Sequence, residues 1–243
     1  MRSIFLSATL LCLWAANVTT ADAKPNILWL TSEDHSPTMG CYGDPLARTP
    51  NVDGLAAKGM LFKHAWSCYP VCAPARSTII SGIYPASTGA EHMRSMVSMP
   101  AGTKMYPQFL REAGYYCTNN SKEDYNLAKP GQVWDESSAQ AHWKNRKAGQ
   151  PFFAVFNFQV THESCLFPAA GPDLPFPATD PAALRLPACQ PDLPAVRADR
   201  ARHYDCIALL DRQVSGHLAA LEEAGLRSEE HTSELQSPYV ISY

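Results

Sequence analysis

Residues 24–31 read KPNILWLT, a proline followed by an apolar run with no polar alternation. A strand with one wet face alternates apolar and polar residues, so an unbroken run points to a strand buried on both faces, the habit of parallel sheets. Residues 151–158, PFFAVFNF, repeat the pattern. Between them strand and helix signals alternate. TPNVDGLAAKG reads as a short helix with Thr49 as N-cap and Gly59 as terminator, and MLFKHAWS, 60–67, as a strand. Helices follow at about 75–81 and 104–113, a strand at 115–119 and a helix around 136–148. This order predicts an α/β domain, a mostly parallel sheet with helices on both faces and active-site residues beyond the carboxyl ends of its strands.

The chain opens with one arginine, a short apolar stretch and Ala21-Asp22-Ala23, the small-x-small form of a signal-peptidase site. Residues 1–23 are therefore expected to be removed. Their apolar core, interrupted by Asn17 and Thr19, falls short of the roughly 20 residues that span a bilayer, and no later segment is long and apolar enough. The expected product is exported, to periplasm or medium, with no membrane span. Of the eight cysteines, Cys12 leaves with the leader. The remaining odd number leaves at least one thiol unpaired or modified in an oxidising compartment, and Cys72 is the candidate. The cysteine spacing does not suit zinc. A formal net charge of -3 argues against a nucleic-acid surface.

Residues 167–194 are rich in proline and lack periodicity, and read as a long ordered loop or surface excursion. Ile207, Leu210, Val214, Leu218 and Leu221 then fall at helical spacing, ending at Gly225-Leu226, so 194–225 reads as one amphipathic helix packed on the sheet. The tail, RSEEHTSELQSPYVISY, turns polar where a new apolar strand is expected. It resembles the translation of a common sequencing adapter, and residues 227–243 read as non-native.

Residues 68–82, CYPVCAPARSTIISG, place Cys72 just before a proline and an apolar run that ends in glycine. That pattern sets Cys72 at a helix N-terminus, where unpaired N–H groups, together with Arg76 one turn on, favour an anion or a negatively charged transition state. Such a position suits a nucleophile.

CAPAR followed by STIISG resembles the sulfatase signature Cys-x-Pro-x-Arg. PNILWLTSEDHSPTMGCYGD resembles that family's opening strand and metal loop, TPNVDGLAAKGMLFKHAW its first crossover, and QPFFAVFNFQVTHES its strand ending in an active-site histidine. The likeness runs from about 24 to 226, and the stretch PAVRADRARHYDCIALLDRQVSGHLAALEEAG resembles the branch that includes heparan N-sulfatase.

The resemblance implies an alkaline phosphatase-like fold and conversion of Cys72 to formylglycine by a formylglycine-generating or sulfatase-maturating enzyme. One hydroxyl of the aldehyde hydrate attacks sulfur; the other, deprotonated, expels sulfate and restores the aldehyde, which a serine ester cannot do. It also implies a divalent cation, calcium with magnesium as the alternative, held by Glu33, Asp34 and residue 72. Glu33 departs from the family's paired aspartates, its extra methylene shifting the carboxylate. Two further ligands, an Asp-Asn pair, are expected beyond Leu226. Lys122 matches a sulfate-contacting lysine, whereas Asp124 stands where a histidine is frequent. His162 matches a histidine touching sulfate or the leaving oxygen, and Gln159 replaces another. His92 and Arg94 are candidates for the substrate cleft. His35, Asp44, His64 and His203 are read as structural or exposed, and Asn119-Asn120-Ser121 as an active-site turn rather than a glycosylation site.

The function implied is hydrolysis of a sulfate ester or N-sulfate on a small molecule or glycan, with Cys72, Arg76, Lys122, Asp124 and His162 as the catalytic set. Two alternatives stay open: a formylglycine-dependent phosphodiesterase or phosphonate monoester hydrolase, and a non-catalytic binder of sulfated glycans.

Overall fold

The computed structural model describes residues 24–167 and 171–227. The expected leader, 1–23, lies outside the described residues, as does all of the expected tail beyond Arg227.

In chain order the strands are β1 (Ile27–Ser32), β2 (Val97–Ser98), β3 (Tyr116–Asn120), β4 (Leu127–Ala128), β5 (Glu136–Ser137) and β6 (Phe152–Phe158). The helices are α1 (Pro50–Lys58), α2 (Cys72–Ser81), α3 (Pro85–Thr88), α4 (Tyr106–Glu112) and α5 (Pro194–Glu223). The main sheet has the order β1-β6-β3-β5, and β2 and β4 form a small separate ladder. Every pairing is parallel. Ile27 faces Phe153 at the start of the β1–β6 ladder and Ser32 faces Phe158 at its end. The carboxyl ends of β1, β6 and β3 therefore finish side by side.

The apolar run of β6 is explained by helices on both faces, whereas β1, expected to be buried on both faces, is only partly buried because it lies at the edge of the described sheet with one neighbouring strand. Phe152, Ala154, Phe156 and Phe158 pack with Val52 of α1 and with Leu210, Val214 and Leu221 of α5. Phe153 and Val155 face the other way, into a cluster with Ile80 of α2 and the aromatic rings of Tyr106 and Trp134. Both sides of β6 are thus removed from water, worth about 1.5–3 kcal/mol per fully buried large apolar side chain.

Polar ties orient the helices. Asp211 of α5, buried, accepts hydrogen bonds from the backbone N–H groups of Asn51 and Val52, the first turn of α1, whose own N-cap Thr49 makes no side-chain cap bond. The carboxylate supplies what the first turn lacks and sits at the positive end of the helix. Asp205, also on α5, accepts hydrogen bonds from Arg48 at 2.7 Å and from the backbone and hydroxyl of Thr179, which ties the described part of the proline-rich stretch around Thr179 to the helix. The C-terminal signal of α5 also holds: Gly225 adopts φ 63° and Leu226 folds back onto the core.

Two expected elements differ. Residues 60–67 have no strand pairing among the described residues, and Trp66 is 78% exposed, so alternation alone did not yield a strand without a neighbour to pair with. The helix expected over 136–148 is replaced by edge strand β5 and a short 3₁₀ turn, Trp143–Asn145. Tertiary packing overrides propensity here. Trp143 stacks on Phe152 with ring centres 5.3 Å apart, and Thr118 pairs with Glu136 in the sheet. Serines and asparagine in this stretch bond locally instead of extending a helix.

Burial lowers the pKa of both His203 and His217 to about 4, with a neighbouring histidine adding to the effect in each case. Both imidazoles are neutral in the fold, while the unfolded chain binds protons below its ordinary value of 6.5. Their contribution to stability is complete above that value and declines as pH falls from 6.5 towards about 4. Thermal unfolding across this window should show a steeper loss for the unaltered chain than for a His203→Gln/His217→Gln variant; equal slopes would contradict the assignment.

Candidate active site

At the carboxyl end of β1 the chain turns sharply. Glu33 is 4% exposed and its backbone N–H meets Thr161 Oγ1 at 3.3 Å. Asp34 follows in the left-handed region, φ 52°, a conformation that Asp tolerates better than most residues and that clusters at functional turns. The two adjacent acids consequently point to different partners. Glu33 Oε2 is 2.7 Å from Lys122 Nζ, and its Oε1 is 3.6 Å from Arg76 Nη1. Asp34 Oδ2 accepts the backbone N–H of Glu163 at 2.9 Å and lies 3.9 Å from His162 Nε2.

Cys72 is the first residue of α2, as its neighbours predict, and is half-buried. Its Sγ, a Glu33 carboxylate oxygen and a ring nitrogen of His162 lie within 4.8 Å of one another. Residues from three separate segments therefore meet at one point above the strand ends. The thiol's pKa is raised, chiefly by burial; Lys122 opposes the shift, while Glu33, Asp34 and Asp124 add to it. The helix N-terminus does not turn this cysteine into a ready thiolate. An unmodified Cys72 is a weak nucleophile here.

Arg76 does not spend its charge on Cys72. Its guanidinium donates to the carbonyls of Glu123 at 2.9 Å and Lys122 at 2.5 Å, and to Asn157 Oδ1 at 2.6 Å. Arg76 thus clamps the loop that presents Lys122. That loop contains a cis Asn120–Ser121 peptide and carries Asp124 in the left-handed region, φ 46°. Asp124 is close enough to act electrostatically on Cys72, which brings it into the cluster.

Among the described residues, His92 and Arg94 form no hydrogen bond or ion pair with this cluster. Both are exposed, and their loop is held from below by Asn126, which donates to the carbonyls of Ala90 and His92. Arg94 has φ 58°. His35 is buried and bonded to Ser32 and Ser36, His203 is neutral and largely buried, Asp44 accepts Tyr204 Oη, and His64 stacks on the exposed Trp66.

Asn157 is the residue that sequence reasoning missed. Its Oδ1 accepts from Arg76 and from Thr31 Oγ1, and its Nδ2 donates to Asn119 Oδ1 and to the carbonyl of Asn120. One side chain on β6 therefore ties together β1, α2 and β3 at their active-site ends. The available signal was a single amide inside PFFAVFNF: a polar residue in a strand buried on both faces needs a reason to be there. Replacing Asn157 with leucine removes one partner each from Arg76, Thr31, Asn119 Oδ1 and the Asn120 carbonyl while their other bonds remain, at a cost of about 1–3 kcal/mol. Urea denaturation should show that loss, with more rapid amide exchange across 119–124; an unchanged midpoint would refute the hub.

Comparison with known proteins agrees with this geometry. Residues 25–121 match the family model described as Sulfatase. An ulvan-active sulfatase of Formosa agariphila is 36% identical over 247 residues, covering 84% of this chain and 41% of that protein. Human iduronate 2-sulfatase is 41% identical over 101 residues, 41% of this chain and 18% of its own. The chain thus spans less than half the length of these curated relatives. A solved 2-O GAG sulfatase superposes with a TM-score of 0.63 at 18% identity, over 84% of this chain and 55% of that one, a likeness of fold.

Proposed function

Since the chain belongs to the sulfatase family and has its alkaline phosphatase-like fold, we propose that it supplies the nucleophile-bearing part of an enzyme that hydrolyses sulfate esters or N-sulfates on a carbohydrate. The observation that carries this reading is the convergence of Cys72, Glu33 and His162 within 4.8 Å at the strand ends, with Lys122 beside them.

Each residue has a role that its surroundings support. The raised pKa of the Cys72 thiol suits a precursor better than a working thiolate. As formylglycine, residue 72 supplies a geminal diol, whose second hydroxyl is what lets a sulfated intermediate break down. Lys122 is a point charge on a flexible stem, held by a carboxylate and placed to reach an incoming sulfuryl oxygen. Arg76 shapes the loop that carries it. His162 faces the same space with a ring nitrogen and is suited to contact the leaving oxygen.

The residues present fit a hard divalent cation such as calcium or magnesium: two carboxylates at a strand end, with Asp34 Oδ1 used by no hydrogen bond among the described residues. Glu33 and Asp34 would hold it beside residue 72, and when bound it supplies acidification of a hydroxyl and charge neutralisation. Glu33 would share its carboxylate between the cation and Lys122. Export after removal of residues 1–23, and a partner enzyme that converts Cys72, complete the proposal.

The test is turnover of an aryl sulfate by the full-length protein co-expressed with a maturating enzyme, with mass analysis of the peptide containing Cys72. We expect the mass of the aldehyde or its hydrate, and a loss of roughly 10⁴-fold or more in Cys72→Ala. Undiminished hydrolysis in Cys72→Ala would overturn the reading. Faster turnover of an aryl phosphate or phosphonate than of the sulfate would move the substrate class.

A further inference from the structure

His162 closes a tight turn, its backbone N–H bonded to the carbonyl of Gln159 at 3.0 Å, and caps a 3₁₀ turn, Glu163–Leu166. Its side chain accepts the backbone N–H of Ser164. The atom that accepts is Nδ1, 3.2 Å from Ser164 N, and the Ser164 hydroxyl lies 2.9 Å from the same nitrogen. A backbone N–H can only donate. Nδ1 must therefore offer a lone pair, and in a neutral imidazole the proton is then on Nε2. Because Nδ1 already accepts, the hydroxyl of Ser164 donates to it as well.

We propose that Ser164 is a positioning residue that fixes His162 as its Nε2–H tautomer, so that the imidazole presents a hydrogen-bond donor, and not a lone pair, to the space in front of Cys72. Nδ1 is consumed by the turn, which leaves Nε2 as the nitrogen available to the cluster. Nε2 lies 3.9 Å from Asp34 Oδ2, and that oxygen is itself held by the N–H of Glu163, so carboxylate and ring are fixed by one short segment. The consequence separates two uses of the same three residues. Glu33, Cys72 and His162 are close enough to resemble a cation site. A protonated Nε2 has no lone pair for a cation. His162 is instead directed at an acceptor, such as an oxygen of an anionic substrate or of its leaving group, and cation ligation falls to the carboxylates. Its use in catalysis rests on the sulfatase reading; the tautomer itself does not.

The experiment is two-dimensional ¹⁵N–¹H correlation of the imidazole ring in the full chain labelled at histidine, at a pH where the ring is neutral, with His162 assigned by His162→Gln. The expected result is an unprotonated Nδ1 and a protonated Nε2. In Ser164→Ala, which keeps the backbone donor, the same tautomer should persist. In Ser164→Pro, which removes that donor at the second position of a turn where proline is tolerated, the Nδ1–H form should appear. A protonated Nδ1 in the unaltered chain overturns the proposal, as does an unchanged tautomer in a folded Ser164→Pro. If Ser164→Pro fails to fold, the unaltered chain decides alone. None of these readouts needs turnover, so the proposal can fail while sulfate hydrolysis stands, and the reverse.

Discussion

The carboxylate of Glu33, 4% exposed and placed between Lys122 and Arg76, is the interaction on which the site depends. A carboxylate that deep in the protein is costly unless paired and hydrogen-bonded, and breaking such a pair costs about 3–5 kcal/mol because the remaining charge is stranded. Among the described residues, both cations form their ion pairs with Glu33. Arg76 is already committed to two loop carbonyls and Asn157, and Lys122 leaves a loop that Arg76 itself holds. The charge at the end of β1 therefore determines where the lysine loop after β3 comes to rest, and with it the electrostatic field around Cys72.

The parallel sheet makes that arrangement possible. With β1, β6 and β3 in register, their carboxyl ends bring Glu33, Asn157 and the 119–124 loop together, while α2 starts beside them with Cys72. The opposite face is closed by α5, whose buried acids Asp205 and Asp211 fasten the segment around Arg48 and the first turn of α1. Rigid packing below and strained backbone above, at Asp34 and Asp124, is a common division of labour in enzymes.

Much of this was legible in the sequence because it follows from composition over several residues. KPNILWLT and PFFAVFNF both declare strands, though only β6 is buried on both faces and β1 is partly buried at the sheet edge, and CAPARSTIISG places Cys72 at a helix start. The features that were not legible depended on partners distant in the chain. MLFKHAWS has strand character but no strand beside it among the described residues, and the stretch 136–148 gives way to sheet pairing and to the stacking of Trp143 on Phe152. Arg76 was recognisable as a site residue, yet its partners, Asn157 and two carbonyls of the 122–123 loop, were not. Likewise nothing local announces that His162 caps its own turn.

The most direct test of the account is a double-mutant cycle between Glu33 and Lys122, using Glu33→Gln, Lys122→Met and the pair, with unfolding free energies read by urea titration. The account predicts that the single changes are each more damaging than the pair implies, with a coupling between about 0.5 and 3 kcal/mol. Effects that simply add would mean that the two charges do not organise the site, and the account would be wrong at its base.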